Sequence, residues 1–298
     1  MKKSGKVNDL VIGYILVALS AICFGIMPVL AKVAYNSGEG TTTLLFLRFG
    51  IGGSLLFFFN RTKKAKSPSR KNIFALFLLG ALGYTGQSFC YFTALEFASA
   101  SLVALLLYVY PALVIFISAI FLHEKITSSK MIALVCALVG CMLILGFKGE
   151  KDARGMGLAL ASAAIYAIYI ICSSMFVEKE TASMCSAIIM LSASFSFAVI
   201  LGCSKGFQLP KTGKGILATI AIALFSTVVA FWAFFSGLGR IGPTDTSLVS
   251  TLEPLVTVLC AMLFLGERLS SINILGGVCI ILSLIVSAFP SYRSSHTL

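Results

Sequence analysis

Apolar residues fall in runs of spanning length along this chain, cut by short polar stretches. A helix rises about 1.5 Å per residue, so roughly 20 mostly apolar residues cross a bilayer. On that rule the chain divides into ten spans: 10–33, 41–59, 72–95, 98–122, 130–147, 155–177, 181–203, 215–238, 244–265 and 270–289. So little chain separates the third and fourth that they must form an antiparallel pair. The stretch 290–298 reads as a short, polar, disordered tail.

The polar positions inside these runs repeat. PALVIFISAIFLHEKI, from Pro111 to Ile126, is answered by PLVTVLCAMLFLGERL, from Pro254 to Leu269. Pro111 to Pro254 and Glu124 to Glu267 are the same step of 143 residues, and that step also lays Ala98–Ser101 on Ile241–Thr244. The chain is therefore one unit written twice: a first repeat over 10–147, a linker over 148–154 and a second repeat over 155–289. Five spans per repeat is an odd number, so the second copy enters the membrane inverted. A doubled apolar unit with prolines and an internal acid points to a carrier with its site near the midplane, between the repeats.

Composition supports the bilayer. Only 11% of the 298 residues are charged and 58% are hydrophobic, far from the roughly 25% charged content of soluble domains. The net charge of +12 lies in loops, such as the basic stretch 60–71, and no basic stripe interleaved with aromatics suggests nucleic acid. Counting Lys and Arg in those loops puts both termini on the cytoplasmic side. The bias comes from the first half, while the second half alone leans the other way. The N-terminal apolar run continues to Ala31 with no evident cleavage site, and reads as an uncleaved first helix. The nine cysteines and two histidines show no metal-ligand spacing, so neither a metal nor a cofactor is expected.

Several residues within the spans can carry chemistry. Glu253 lies about 13 Å into the ninth span, near the bilayer centre. An ionisable group there costs about 2.5–3.5 kcal/mol on insertion scales and faces the bundle interior or a wet cavity. Such a carboxyl can exchange a proton, bind a substrate amine, or simply join helices. Arg48, about 10 Å into the second span, needs a partner or water; a substrate carboxylate and a structural carbonyl are both open. Lys32, at the outer end of the first span, snorkels or points inward. Tyr84, Gln87 and Tyr91 share one helical face of the third span, and Tyr108 and Tyr110 stand in the fourth. Trp232, deep in the eighth span, is either a stacking wall or core. Pro28, Pro111 and Pro254 are expected to break helices. Glycines at 50, 52, 53, 276 and 277 permit close helix approach.

No phosphate loop, HExxH motif or nucleophile with His and acid is present, which excludes direct ATP drive from this chain. The matched prolines, Leu252-Glu253-Pro254, Gly266-Glu267-Arg268 and Phe46-Leu47-Arg48-Phe49 resemble the EamA family of the drug/metabolite transporter superfamily. The resemblance implies ten helices in two inverted five-helix repeats around a central cavity, alternating access, and a place in the bacterial cell membrane. It also implies, for many members, export of amino acids or other small metabolites. The leading expectation is a secondary carrier of an amino acid-like solute, with Glu253 as amine or proton site and Arg48 as anion site. Its partners are the bilayer, a small-molecule substrate and, as a candidate coupling ion, the proton. A passive facilitator or importer of a drug, nucleoside or phosphosugar is an alternative. An intramembrane enzyme or lipid-handling protein using Glu253, with Asp245 as a second acid, is another.

Overall fold

A computed structural model describes residues 2–98, 100–146, 152–203, 206–265 and 270–296, with side chains for all of these except 2–7, 95–96, 100–101, 261, 264–265 and 288–296. Among the described residues the chain is all-helical, with no strand. This follows from its solvent, because in lipid each backbone N–H and C=O must be satisfied within the segment.

The helices are α1 (Lys2–Asn36), α2 (Thr41–Thr62), α3 (Arg70–Leu78), α4 (Thr85–Phe97), α5 (Ala100–Leu107), α6 (Tyr110–Phe121), α7 (Ser128–Leu145), α8 (Ala153–Phe176), α9 (Ala182–Cys203), α10 (Gly213–Ala223), α11 (Ala230–Ser250), α12 (Leu252–Leu265) and α13 (Ser271–His296). Among the described residues hydroxyl or carboxylate caps start five of them. Ser69 Oγ accepts from the Asn72 amide, Thr127 Oγ1 from Lys130, Asp152 Oδ1 from Arg154, Thr212 Oγ1 from Gly215 and Ser270 Oγ from Asn273.

Two π-helical turns, Leu79–Tyr84 and Leu224–Val229, join α3 to α4 and α10 to α11. Each is closed by a threonine reaching back five residues: Thr85 Oγ1 donates to Gly80 O at 3.1 Å and Thr227 Oγ1 to Ile222 O at 2.9 Å. The prolines of the repeated stretch begin new helices. Pro111 sits in the first turn of α6, after a break at Tyr108–Val109, and Pro254 in the first turn of α12, after a break at Thr251.

Among the described residues eight stretches are long and apolar enough to cross a membrane, and Ser271–Ser287 is a shorter apolar helix. The expected eighth and ninth spans follow one another without a loop: within the 38 residues of Gly213–Ser250 two helices meet at a kink at Gly242, and α12 adds 14 residues after Thr251. One glycine suffices for the bend: Gly242 has φ +79° and ψ 174°, a region closed to other residues, and Pro243 fits the helix start beyond it. Two boundaries also move. Ala153 and Arg154 of the expected linker belong to α8, and the expected tail is helical as far as His296, with no glycine there to end it. Ser99, residues 148–151 of the linker and Gly266-Glu267-Arg268 lie outside the described residues.

α2 packs on α9, α7 on α13, α1 on α11 and α12, and α4, α5 and α6 on α8. Gly140 and Gly276 let α7 and α13 touch along their backbones; a Cβ on Gly276 would stand 2.8 Å from Gly140 O. One end of the bundle is tied by Asp9–Lys179 at 2.5 Å and Lys66–Glu178 at 3.9 Å. At the other, the loop after α1 is held to that before α10, through Gly40 N to Gln208 O and Lys211 N to Ser37 O.

Candidate functional site

The first π-turn and the breaks before Pro111 and Pro254 border a cavity of about 570 Å³, within the range of small-molecule sites. Its wall carries Pro28 and Lys32 of α1, Arg48 of α2, Tyr84, Gln87 and Tyr91 around α4, Tyr108 and Tyr110 at the α5–α6 break, and Glu253 and Pro254 of α12. Tyr110 and Glu253 occupy the same place in the two repeated stretches, each just before its proline, and both face this space.

Glu253 is held by a neutral donor. The Tyr108 hydroxyl donates to Glu253 Oε2 at 3.1 Å, across 145 residues of chain. Thr257 secures the backbone below, its hydroxyl reaching Glu253 O at 3.0 Å and Gly25 O at 2.9 Å. That contact needs Gly25, where a Cβ would stand 2.8 Å from Glu253 O.

Arg48 is 3% exposed. Its Nε donates to Thr227 Oγ1 at 3.2 Å and its NH2 group to Ser226 O at 3.3 Å, both on the second π-turn, and NH1 meets Met27 Sδ at 2.6 Å. The guanidinium also lies 4.6 Å from the centroid of the Phe49 ring. The π-turn therefore offers Arg48 the carbonyl and hydroxyl that a regular helix would keep for itself. Among the described residues neither Arg48 nor Glu253 enters an ion pair, with each other or with any third group. A guanidinium and a carboxyl share the cavity, each oriented by neutral partners.

Gln87 both lines the cavity and locks helices: its Nε2 donates to Ser162 Oγ at 3.1 Å, and that hydroxyl returns a bond to Gln87 O at 3.0 Å. Lys32 is exposed at the cavity edge, where Leu145 and Asn273 also stand. The floor is aromatic. The Tyr84 ring lies 5.2 Å from Phe231, 5.3 Å from Phe49 and 5.4 Å from Tyr169, and Tyr110 lies 4.7 Å from Tyr166.

Trp232, Pro28 and Asp245 meet their expectations differently. Trp232 is off the cavity, 38% exposed on the outer surface of the bundle, neither stacking wall nor core. α1 runs on through Pro28, which lines the cavity without ending the helix. Pro111 is buried and off the cavity, and starts α6. Asp245 does not turn toward Glu253; its carboxylate lies 3.9 Å from Lys130 Nζ and 3.4 Å from Ser287 Oγ. Two contributors escaped the sequence reading: Tyr166, whose spacing from Tyr169 in the sixth span was a usable signal, and Thr227, which orients Arg48.

The fold is shared with a solved crystal structure that superposes with a TM-score of 0.79 at 19% identity, over 94% of this chain and 98% of the other. The uncharacterized transporter YcbK of Bacillus subtilis is 24% identical, covering 92% of each chain. The uncharacterized transporter YyaM of the same organism is also 24% identical, over 84% of this chain and 86% of its own. A WAT1-related protein of Arabidopsis thaliana is 21% identical over 91% of this chain and 88% of its own. These names point to a transporter and not to an enzyme. The EamA-like transporter family model matches residues 11–146 and 153–289, and the chain belongs to that family of multi-pass membrane transporters.

Proposed function

We propose that the chain is a secondary exporter of a small amino acid-like metabolite, working by alternating access in a bacterial plasma membrane. Arg48 takes the substrate carboxylate, Glu253 takes the amine, and Tyr84, Tyr91 and Tyr110 supply the walls between. The observation that carries this reading is the separation of the two charges. Each is oriented by neutral groups and neither is spent on the other, so a zwitterion would complete both. Lys32 at the mouth biases entry toward the carboxylate end. Glu253 is also the candidate coupling group, exchanging substrate amine for proton.

In this reading Gly242 divides the 38-residue stretch into two traverses, the second completed by α12, which gives ten spans in two inverted repeats. The exchange of partners supports it. Under the 143-residue step α1 corresponds to α8, and the stretch holding α3 and α4 corresponds to that holding α10 and α11. α1 packs on α11 as α8 packs on α4, while α2–α9 and α7–α13 are pairs of mutual counterparts. Such an arrangement suits a two-fold axis in the membrane plane. Both termini are then cytoplasmic, at the end that holds Asp9, Lys66 and Lys179.

The test is exchange in proteoliposomes across amino acids, nucleosides, phosphosugars and organic cations, with and without a pH gradient. Amino acids should exchange, and the gradient should drive them uphill. Exchange of only singly charged solutes would contradict the zwitterion site, and exchange indifferent to the gradient would make the chain a facilitator.

A further inference from the structure

The cavity reaches the end of the bundle that holds Lys32, Leu145 and Asn273. Leu145, at the end of α7, stands on its wall, whereas Lys130, 15 residues earlier on the same helix and so about 22 Å away, stands at the opposite end of the bundle. Between them the space narrows to a void of about 10 Å³ bounded by Tyr84, Tyr166, Tyr169, Phe231 and Phe235, room for one water at most. Tyr84 and Tyr166 face both spaces, so the void continues the cavity inward.

Around and beyond the void lie buried hydroxyls. Ser118 Oγ on α6 has no hydrogen-bond partner, and on α8 Tyr169 and Ser173 have only each other. α6 packs directly on α8, and Tyr169 and Ser173 share a face of α8 one turn apart. Hydroxyls so poorly satisfied are rare in a dry interior. A run of them between two helices, leading away from a cavity, suits a passage that is wetted in another conformation.

The passage is capped by charges. Thr244 Oγ1 donates to Glu124 Oε2 at 2.7 Å, Lys130 Nζ lies 3.4 Å from the same oxygen, and it also lies 3.9 Å from Asp245. The Glu124 amide in turn donates to Ser118 O at 3.3 Å. The cluster joins the α6–α7 loop and α7 to the start of the segment beyond the Gly242 bend. It is half-buried, unlike the exposed pairs Asp9–Lys179 and Lys66–Glu178.

We propose that the closed half of the translocation path runs between α6 and α8 past Tyr169, Ser173 and Ser118, and that Glu124, Lys130, Thr244 and Asp245 are the latch shutting its far end. This rests on the transporter reading above. When the latch releases, the segment from Thr244 swings about Gly242, the hydroxyls gain water, and the cavity closes on the Lys32 side.

The test reads accessibility and needs no substrate. Single cysteines replace Ser118 in the closed half and Ala104 on the cavity wall, in a chain whose nine native cysteines are removed. The protein is placed in proteoliposomes and treated with a membrane-impermeant maleimide on both faces of the membrane. With the latch intact, the cysteine of Ala104→Cys reacts and that of Ser118→Cys is protected. Adding Lys130→Met should raise labelling at position 118 at least tenfold and lower it at position 104. Thr244→Val, which keeps every charge, should move both in the same directions by less. A rise at both positions together would mean loosened folding, and unchanged labelling at both would mean no latch; either overturns the proposal. A reciprocal switch in a chain that exchanges no solute would leave the path standing and remove the transport reading, whereas exchange without the switch would do the reverse.

Discussion

A carboxylate and a guanidinium that share a cavity without pairing must each be held by something neutral, and here that something is a tyrosine and a π-turn. Among the described residues the Tyr108 hydroxyl makes the one side-chain hydrogen bond to the Glu253 carboxyl. A bond to a charged group is worth about 1.5–3 kcal/mol, so Tyr108→Phe should slow substrate exchange roughly 10- to 100-fold without changing the amount of folded protein, as read by counterflow and size-exclusion profiles. None of this was legible in the sequence. Glu253 and Arg48 stood out because charge is costly in lipid, but a tyrosine 145 residues away in the other repeat carries no complementary signal. Trp232 misled for a related reason: its span is apolar on every face, so nothing in the pattern says which face meets lipid. Glu39, in the loop before α2, shows burial acting outside the spans. One carboxylate oxygen accepts from Thr219 at 2.6 Å and the other has no partner. Burial raises its affinity for protons above the ordinary value of 4.5, with the Thr219 bond opposing. The folded state then holds a proton that the unfolded state releases, so stability is full below about 4.5 and falls as pH rises through the folded value. Glu39→Gln should flatten that fall, seen as a higher melting temperature at neutral pH and little difference in acid.

At the scale of elements, the prolines were legible and the bend was not. Pro111 and Pro254 announce helix starts because proline lacks the N–H that continues a helix. Each places the residue before it, Tyr110 or Glu253, on the cavity wall. Ile241-Gly242-Pro243 reads equally as a loop, and only the backbone shows that a single residue makes the turn. Gly242→Ala should therefore lower stability by about 1–3 kcal/mol and depress the melting temperature in detergent. Gly86→Ala is the control, since a Cβ there meets nothing within 4 Å, and it should leave melting unchanged. The paired π-turns were equally hidden, because a threonine bonding five residues back looks in sequence like any threonine inside an apolar run.

For the whole molecule, the repeat was the most readable feature, since one step of 143 residues aligned prolines, acids and the stretches before them. What the step could not show is how the copies meet. The pairing of α1 with α11 and of α4 with α8 depends on three-dimensional surfaces, such as the glycines between α7 and α13. If the halves are inverted copies of five spans, reporters fused after Leu298 and inserted near Lys64 should both report the cytoplasm, and opposite sides would break the scheme. The central claim is that Glu253 and Arg48 together bind a zwitterion, and counterflow of a labelled amino acid by purified protein tests it most directly. The wild-type chain should exchange, Glu253→Gln should abolish exchange, and Arg48→Lys should reduce it by loss of the paired contacts while the protein stays folded. Undiminished exchange in Glu253→Gln would contradict the account.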